Sequence, residues 1–161
     1  MASETDFPAR GKVTEVRDGV VVFAPINTNY QLHLATAGGR AYDGPVNEWI
    51  DAVVRLNARK VMTVPSGGNF VEPIFGRPRT IQGRVKFLTT RSMVVQAGLP
   101  IVVSLPQADS GIDLGEGAIR VGSMVNVMAL PGATIEPIRR SADVAPSPGS
   151  ASTRPADTQP V

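Results

Sequence analysis

One histidine, a serine in a glycine-rich stretch and three acids near glycines are the residues of this 161-residue chain whose types and spacing could do chemistry. His33 lies in Tyr30-Gln-Leu-His-Leu34, where period-two alternation sets Gln31 and His33 on one side of a strand. An imidazole base needs a nucleophile to activate and an acid to orient it, and no Gly-x-Ser-x-Gly turn is present. The sequence therefore predicts a solvent-facing strand histidine. Pro65-Ser66-Gly67-Gly68-Asn69 could offer a hydroxyl and free N–H groups to an anion. No Gly-Lys-Ser/Thr follows it, so it reads as a hairpin loop rather than a phosphate loop. Asp109, Asp113 and Glu116 lack the alternate ligand spacing of a calcium loop and read as solvated. With no cysteine there is no disulfide, zinc finger or thiol nucleophile, and one histidine excludes multi-histidine metal sites. No catalytic residue, metal or cofactor is expected, and the chain is not expected to be an enzyme.

Charge is more informative. Residues 1–54 carry a net −3, residues 55–91 a net +7 and residues 92–161 a net −2. The basic centre consists of Arg55, Arg59, Lys60, Arg77, Arg79, Arg84, Lys86 and Arg91, opposed only by Glu72. Such a segment suits an acidic protein surface, a second copy of the chain, or the phosphates of a nucleic acid. Arginine outnumbers lysine thirteen to three, and its planar fork serves carboxylate and phosphate equally. Single-strand binders add rings on which bases stack. Near the basic segment these are Phe70, Phe75 and Phe87, which are expected to fill a junction between two halves of the chain.

Those halves come from a repeat. Gly11-Lys12-Val13 matches Gly83-Arg84-Val85, and the valine-rich Val20 to Phe23 matches Met93 to Val95. Tyr30, Leu32 and Leu34 alternate as Ile101, Val103 and Leu105 do, which sets Ser104 against His33. Val54-Arg-Leu-Asn-Ala58 matches Ile119-Arg-Val-Gly-Ser123. Met62-Thr-Val-Pro65 followed by Phe70-Val-Glu-Pro-Ile74 matches Met128-Ala-Leu-Pro131 followed by Thr134-Ile-Glu-Pro-Ile138. Short Val/Ile segments bounded by Gly, Pro and Asn are strands, with a helical turn possible only at Asn47 to Ile50. The Gly-Ala-Ile-Arg-Val-Gly122-Ser-Met-Val-Asn-Val stretch resembles the strand–turn–strand of small closed barrels, of the oligonucleotide-binding or translation-barrel type.

The expected fold is all-β: duplicated small-barrel units at residues 9–76 and 80–140, joined by Arg77-Pro-Arg-Thr80 and packed together, or one sandwich with pseudo-twofold symmetry. Residues 1–8 and the Pro/Ser/Ala-rich tail at 141–161 bury too little apolar surface to offset ordering entropy and are expected to be disordered. The polar start has no signal-peptide pattern and no run approaches about 20 apolar residues, so the expected setting is cytoplasmic, without a membrane. The expected function is a non-catalytic binding or assembly module with a protein partner or itself; the alternative is a nucleic-acid-binding protein.

Overall fold

A computed structural model describes residues 3–107 and 111–138, and it is all-β. The strands are β1 (Ala9–Arg17), β2 (Val20–Pro25), β3 (Gln31–Thr36), β4 (Trp49–Val64), β5 (Phe70–Glu72), β6 (Phe75–Gly76), β7 (Thr80–Leu88), β8 (Ser92–Gln96), β9 (Pro100–Ser104), β10 (Ile112–Asp113), β11 (Met124–Ala129) and β12 (Thr134–Pro137). Short 3₁₀ turns at Glu4–Asp6 and Ala37–Gly39 complete it. The expected tail and Asp109 lie outside the described residues. No helix among those described is long and apolar enough to cross a membrane.

Hairpin chemistry sets the first register. Asp18 and Gly19 both take positive φ, 53° and 79°, which is what a two-residue turn between right-twisted strands requires. Arg17 thereby pairs with Val20. Both β1 and β7 then bulge, between Val13 and Glu15 and between Val85 and Phe87. Ahead of each bulge stands a glycine pressed on a neighbouring backbone. A Cβ on Gly11 would come within 2.4 Å of the Ala24 oxygen, and one on Gly83 within 2.0 Å of the Gln96 oxygen. Only glycine allows these strands to approach so closely.

The pairings run in two loops. Stepping between neighbours, β1–β2–β3–β12–β4 returns to β1, and β4–β11–β7–β8–β9 returns to β4. The sixteen residues of β4 belong to both. Its first part pairs with β1 and β12, its second with β11. Alternating inward residues fill one core that includes Val13, Phe23, Leu34, Val54, Val61, Ile81, Val95, Ile101, Val127 and Ile135. The intervals 9–76 and 80–140 thus share both a strand and a core.

Four expectations are corrected. Ser3–Pro8 is not without structure: it forms the first 3₁₀ turn and packs Phe7 against Phe87, because those two rings bury each other. The end-of-repeat match does not mark equivalent places. Phe70–Glu72 pairs with β7, whereas Thr134–Pro137 lies between β4 and β3. Both segments stop at a proline, which accounts for their likeness without a common neighbour. Finally, the ladder sets His33 against Val22 and Val102 against Val94, so Val102, not Ser104, stands where His33 does. Asn47 sits in a bend at φ 63°, not a helical turn, and the strand begins at Trp49.

Candidate binding surface

β11 lies between β4 and β7, with β5 beyond β7. Because Val61, Val127 and Ile81 point into the core, the alternate positions form an outer face in successive rows. One row holds Lys60, Met128, Thr80 and Glu72, and the next Met62, Asn126, Gln82 and Phe70. A third holds Val64, Met124, Arg84 and Gln96. Side-chain bonds tie the face together. Asn126 donates its amide to the Gln82 oxygen at 3.0 Å, and Gln82 donates to the Gly68 carbonyl at 3.0 Å. The Pro65–Asn69 loop is thus pinned to the face by its backbone.

Four of the predicted cations lie on or beside this face. Lys60 and Arg84 project from the rows. Arg59 stands at the irregularity between Met128 and Ala129 and reaches the Met128 sulfur at 3.5 Å. Lys86, exposed, stands at the bulge of β7. Arg84 donates to the Gly122 carbonyl at 2.9 Å, and the Gly122 N–H bonds Val85. The turn carrying Arg120 is therefore held alongside Arg84 and Lys86. Next to it, Thr63, Val64, Arg84, Glu116 and Ser123 line a recess of about 320 Å³. Arg79 sits at the edge, its N–H on the Glu72 carbonyl and its own carbonyl accepting from Ala129.

The remaining three lie elsewhere. Arg77 follows β6, whose partner is β3. Arg91 lies in the turn between β7 and β8, where its carbonyl accepts from Leu105. Arg55 is engaged within the chain: it bonds Glu4 at 2.9 Å and stands 4.0 Å from Glu136. The Ser92 hydroxyl and the Arg55 guanidinium hold the Glu4 carboxyl below its ordinary value, against the opposing effect of partial burial.

His33 lies on the outer side of β3 but is half-buried. β6 pairs alongside β3 and lays Phe75 edge-on to the imidazole, 4.8 Å between centroids, leaving Nε2 buried without a hydrogen bond. Phe75 itself is 61% exposed rather than filling a junction. Phe87 carries Phe7, and Phe70 lies in the row of Gln82. Ser66 is exposed. Among the described residues no three His, Asp or Glu side chains are grouped to hold a metal ion. Sequence reasoning missed Gln82, Asn126, Met62 and Arg120. Only the register brings them in: Met62 and Gln82 lie two residues from Lys60 and Arg84 on the same face, Asn126 pairs between them, and Arg120 arrives with the turn held by Arg84 and Val85.

The architecture defines an all-β protein with one core and a mixed polar, cationic sheet face. Comparison with protein-family models, with curated proteins and with solved structures finds no match.

Proposed function

We propose that this chain is a non-catalytic binding module that takes an acidic partner protein on the outer face of β4, β11 and β7. The observation that carries this reading is the register that sets Lys60 and Arg84 on one face, flanked by Arg59 and Lys86. Glu72 borders the face at its β5 edge and Glu116 shares the recess beside Arg84, two acids against Lys60, Arg84, Arg59 and Lys86. The frame we infer is two like five-stranded barrels, derived from a duplicated unit, that exchange their last strands. Support comes from the two returning loops of pairing, the matched bulges and the matched glycines. Rigid strands suit such a face, since they hold side chains more firmly than loops do.

A second reading, a single-stranded nucleic acid on the same face, is favoured by Phe70. Its half-buried ring shares a row with the Gln82 and Asn126 amides, and ring, amide and cation together suit stacked bases. The test titrates a labelled oligoglutamate peptide and a labelled single-stranded oligonucleotide against the full chain at low and moderate salt. The acidic-protein reading expects peptide binding that falls about tenfold or more in Lys60→Ser/Arg84→Ser and weakens with salt. Stronger oligonucleotide binding with a steep salt slope transfers the face to the second reading. If neither probe binds, or if binding survives that double substitution, the face has no such role.

A further inference from the structure

A second apolar cluster stands apart from the main core. Val53, Val94 and Val102 are buried on the outer side of β4, β8 and β9, and Phe7, Phe87 and Ile138 pack around them. Their cover is Ser3–Phe7. The Ser3 N–H bonds the Asp6 carboxylate at 2.8 Å and closes a 3₁₀ turn. Residues three apart eclipse in such a turn, so Glu4 and Phe7 reach down together. Phe7 lies on Phe87 with ring centroids 5.6 Å apart. The Glu4 carboxylate accepts from the Arg55 guanidinium at 2.9 Å and from the Ser92 hydroxyl. Ser92 is held ready by Thr89, whose hydroxyl lies 3.0 Å from its own.

The surface under this turn is therefore a made site with two halves, a valine floor with a phenyl wall and a cation–hydroxyl rim. Its occupant joins no strand. The backbone bonds of the turn run from Asp6 to Ser3 and from Phe7 to Glu4, within the turn itself. Its grip on the sheet rests on one carboxylate and one ring. An ion pair with a guanidinium 35% exposed contributes little, so the cover can leave without unravelling the sheet beneath it.

We propose that this surface is a peptide-docking site for a partner protein's acidic–aromatic segment, a carboxylate three residues ahead of a phenyl ring, which replaces the chain's own Ser3–Phe7. Charge and shape argue for that occupant. The rim pairs with one carboxylate, the floor and wall take one flat ring, and the spacing is the one the seated turn displays. The proposal is independent of the β4–β11–β7 face, because it uses neither Lys60 nor Arg84.

The experiment measures fluorescence anisotropy of a labelled peptide of residues 2–9 against the chain lacking residues 1–7, with circular dichroism confirming its fold. Full-length Phe7→Ala, which keeps all strands, is a second receptor should the shortened chain not fold. The expected result is saturable binding to either receptor and about tenfold or more weaker binding to the unaltered full chain. A peptide carrying Phe7→Ala should lose about tenfold, and one carrying Glu4→Gln, or a receptor carrying Arg55→Gln, about threefold, the size of a part-exposed ion pair. Lys60→Ser/Arg84→Ser in the receptor should change nothing, which separates failure here from failure of the sheet-face reading. Equal binding to covered and uncovered chains, or none to either receptor, overturns the proposal. So does a full-length dimer that Phe7→Ala abolishes, since the occupant is then a second copy's segment.

Discussion

Arg10 faces Asp51 across β1 and β4, while Gln82 faces Asn126 at the matching place across β7 and β11. The first pair is an ion pair at 3.2 Å, the second an amide bond at 3.0 Å. One step along, Lys12 lies over the Trp49 ring at 4.5 Å, whereas Arg84 stands opposite Met124 and turns to the Gly122 carbonyl. The turn after each first strand differs as well. Asp18-Gly19 uses positive φ, while Thr90-Arg91 relies on the Thr89 hydroxyl, which accepts from the Arg91 and Ser92 N–H groups. Gly11 and Gly83 each stand ahead of a like bulge, but the side chains around them differ. On the first face the cations are already answered by an acid and a ring; on the second Arg84 is held by a backbone carbonyl, and among the described residues no carboxylate pairs with it or with Lys60. That contrast is why the partner is assigned to β4–β11–β7.

The comparison breaks most readily at its glycines. Gly83→Ala and Gly11→Ala both drive a Cβ into backbone that cannot move aside, so each should destabilise by about 3 kcal/mol or more. Urea unfolding of both variants decides this, and tolerance at only one position ends the claim of a common frame. Next in size is the charge contrast. Arg10→Ser/Lys12→Ser should leave partner binding within about twofold, against the tenfold loss set out for Lys60→Ser/Arg84→Ser. Equal losses from the two faces would show that binding follows net charge rather than either face.

A smaller effect belongs to the pairs themselves. Asp51, 8% exposed at its side chain, faces a half-exposed arginine, so Asp51→Ala should cost about 1–2 kcal/mol. Grafting the ion pair onto the second face by Gln82→Arg/Asn126→Asp should fall within about 1 kcal/mol of the parent in thermal melts. A larger loss would mean that the bond from Gln82 to Gly68 matters more than the pair. The smallest effect is acid dependence of the Ser3–Phe7 cover. The folded Glu4 carboxyl is below its ordinary value, so its contribution is complete above that ordinary value and is lost as pH falls through the lowered one. Glu136, 4.0 Å from Arg55, shares that cation and blunts the change. Binding of the labelled residue 2–9 peptide to the chain lacking residues 1–7 should weaken only at the acid end, and the Glu4→Gln peptide should bind with the weaker affinity at every pH.

Much of the frame was legible in residue types. Alternating Val and Ile segments, the Asp18-Gly19 turn and the matched Gly11 and Gly83 mark strands and their starts, because each depends on its nearest neighbours. The Glu-Pro-Ile match misled, since a proline says where a strand stops and nothing about what lies beside it. His33 misled similarly: alternation set it on the outer side of β3, but Phe75, some forty residues on by sequence, covers it. The candidate face was half legible. Composition flagged the cations of 55–91, yet only the register of β4, β11 and β7 separates Lys60 and Arg84 from Arg55, which the chain spends on its own Glu4.

The shared β4 has a consequence for how the chain is made. On the ribosome, β1, β2 and β3 emerge early, yet the strand that lies parallel to β3 at Ala35 and Thr36 is β12, roughly a hundred residues later. Until β12 arrives, the flank of β3 at Ala35 and Thr36 and the neighbouring stretch of β4 lack that partner, and they expose the kind of edge that invites pairing with other chains. Closure of both loops of strands waits on nearly the last described residues.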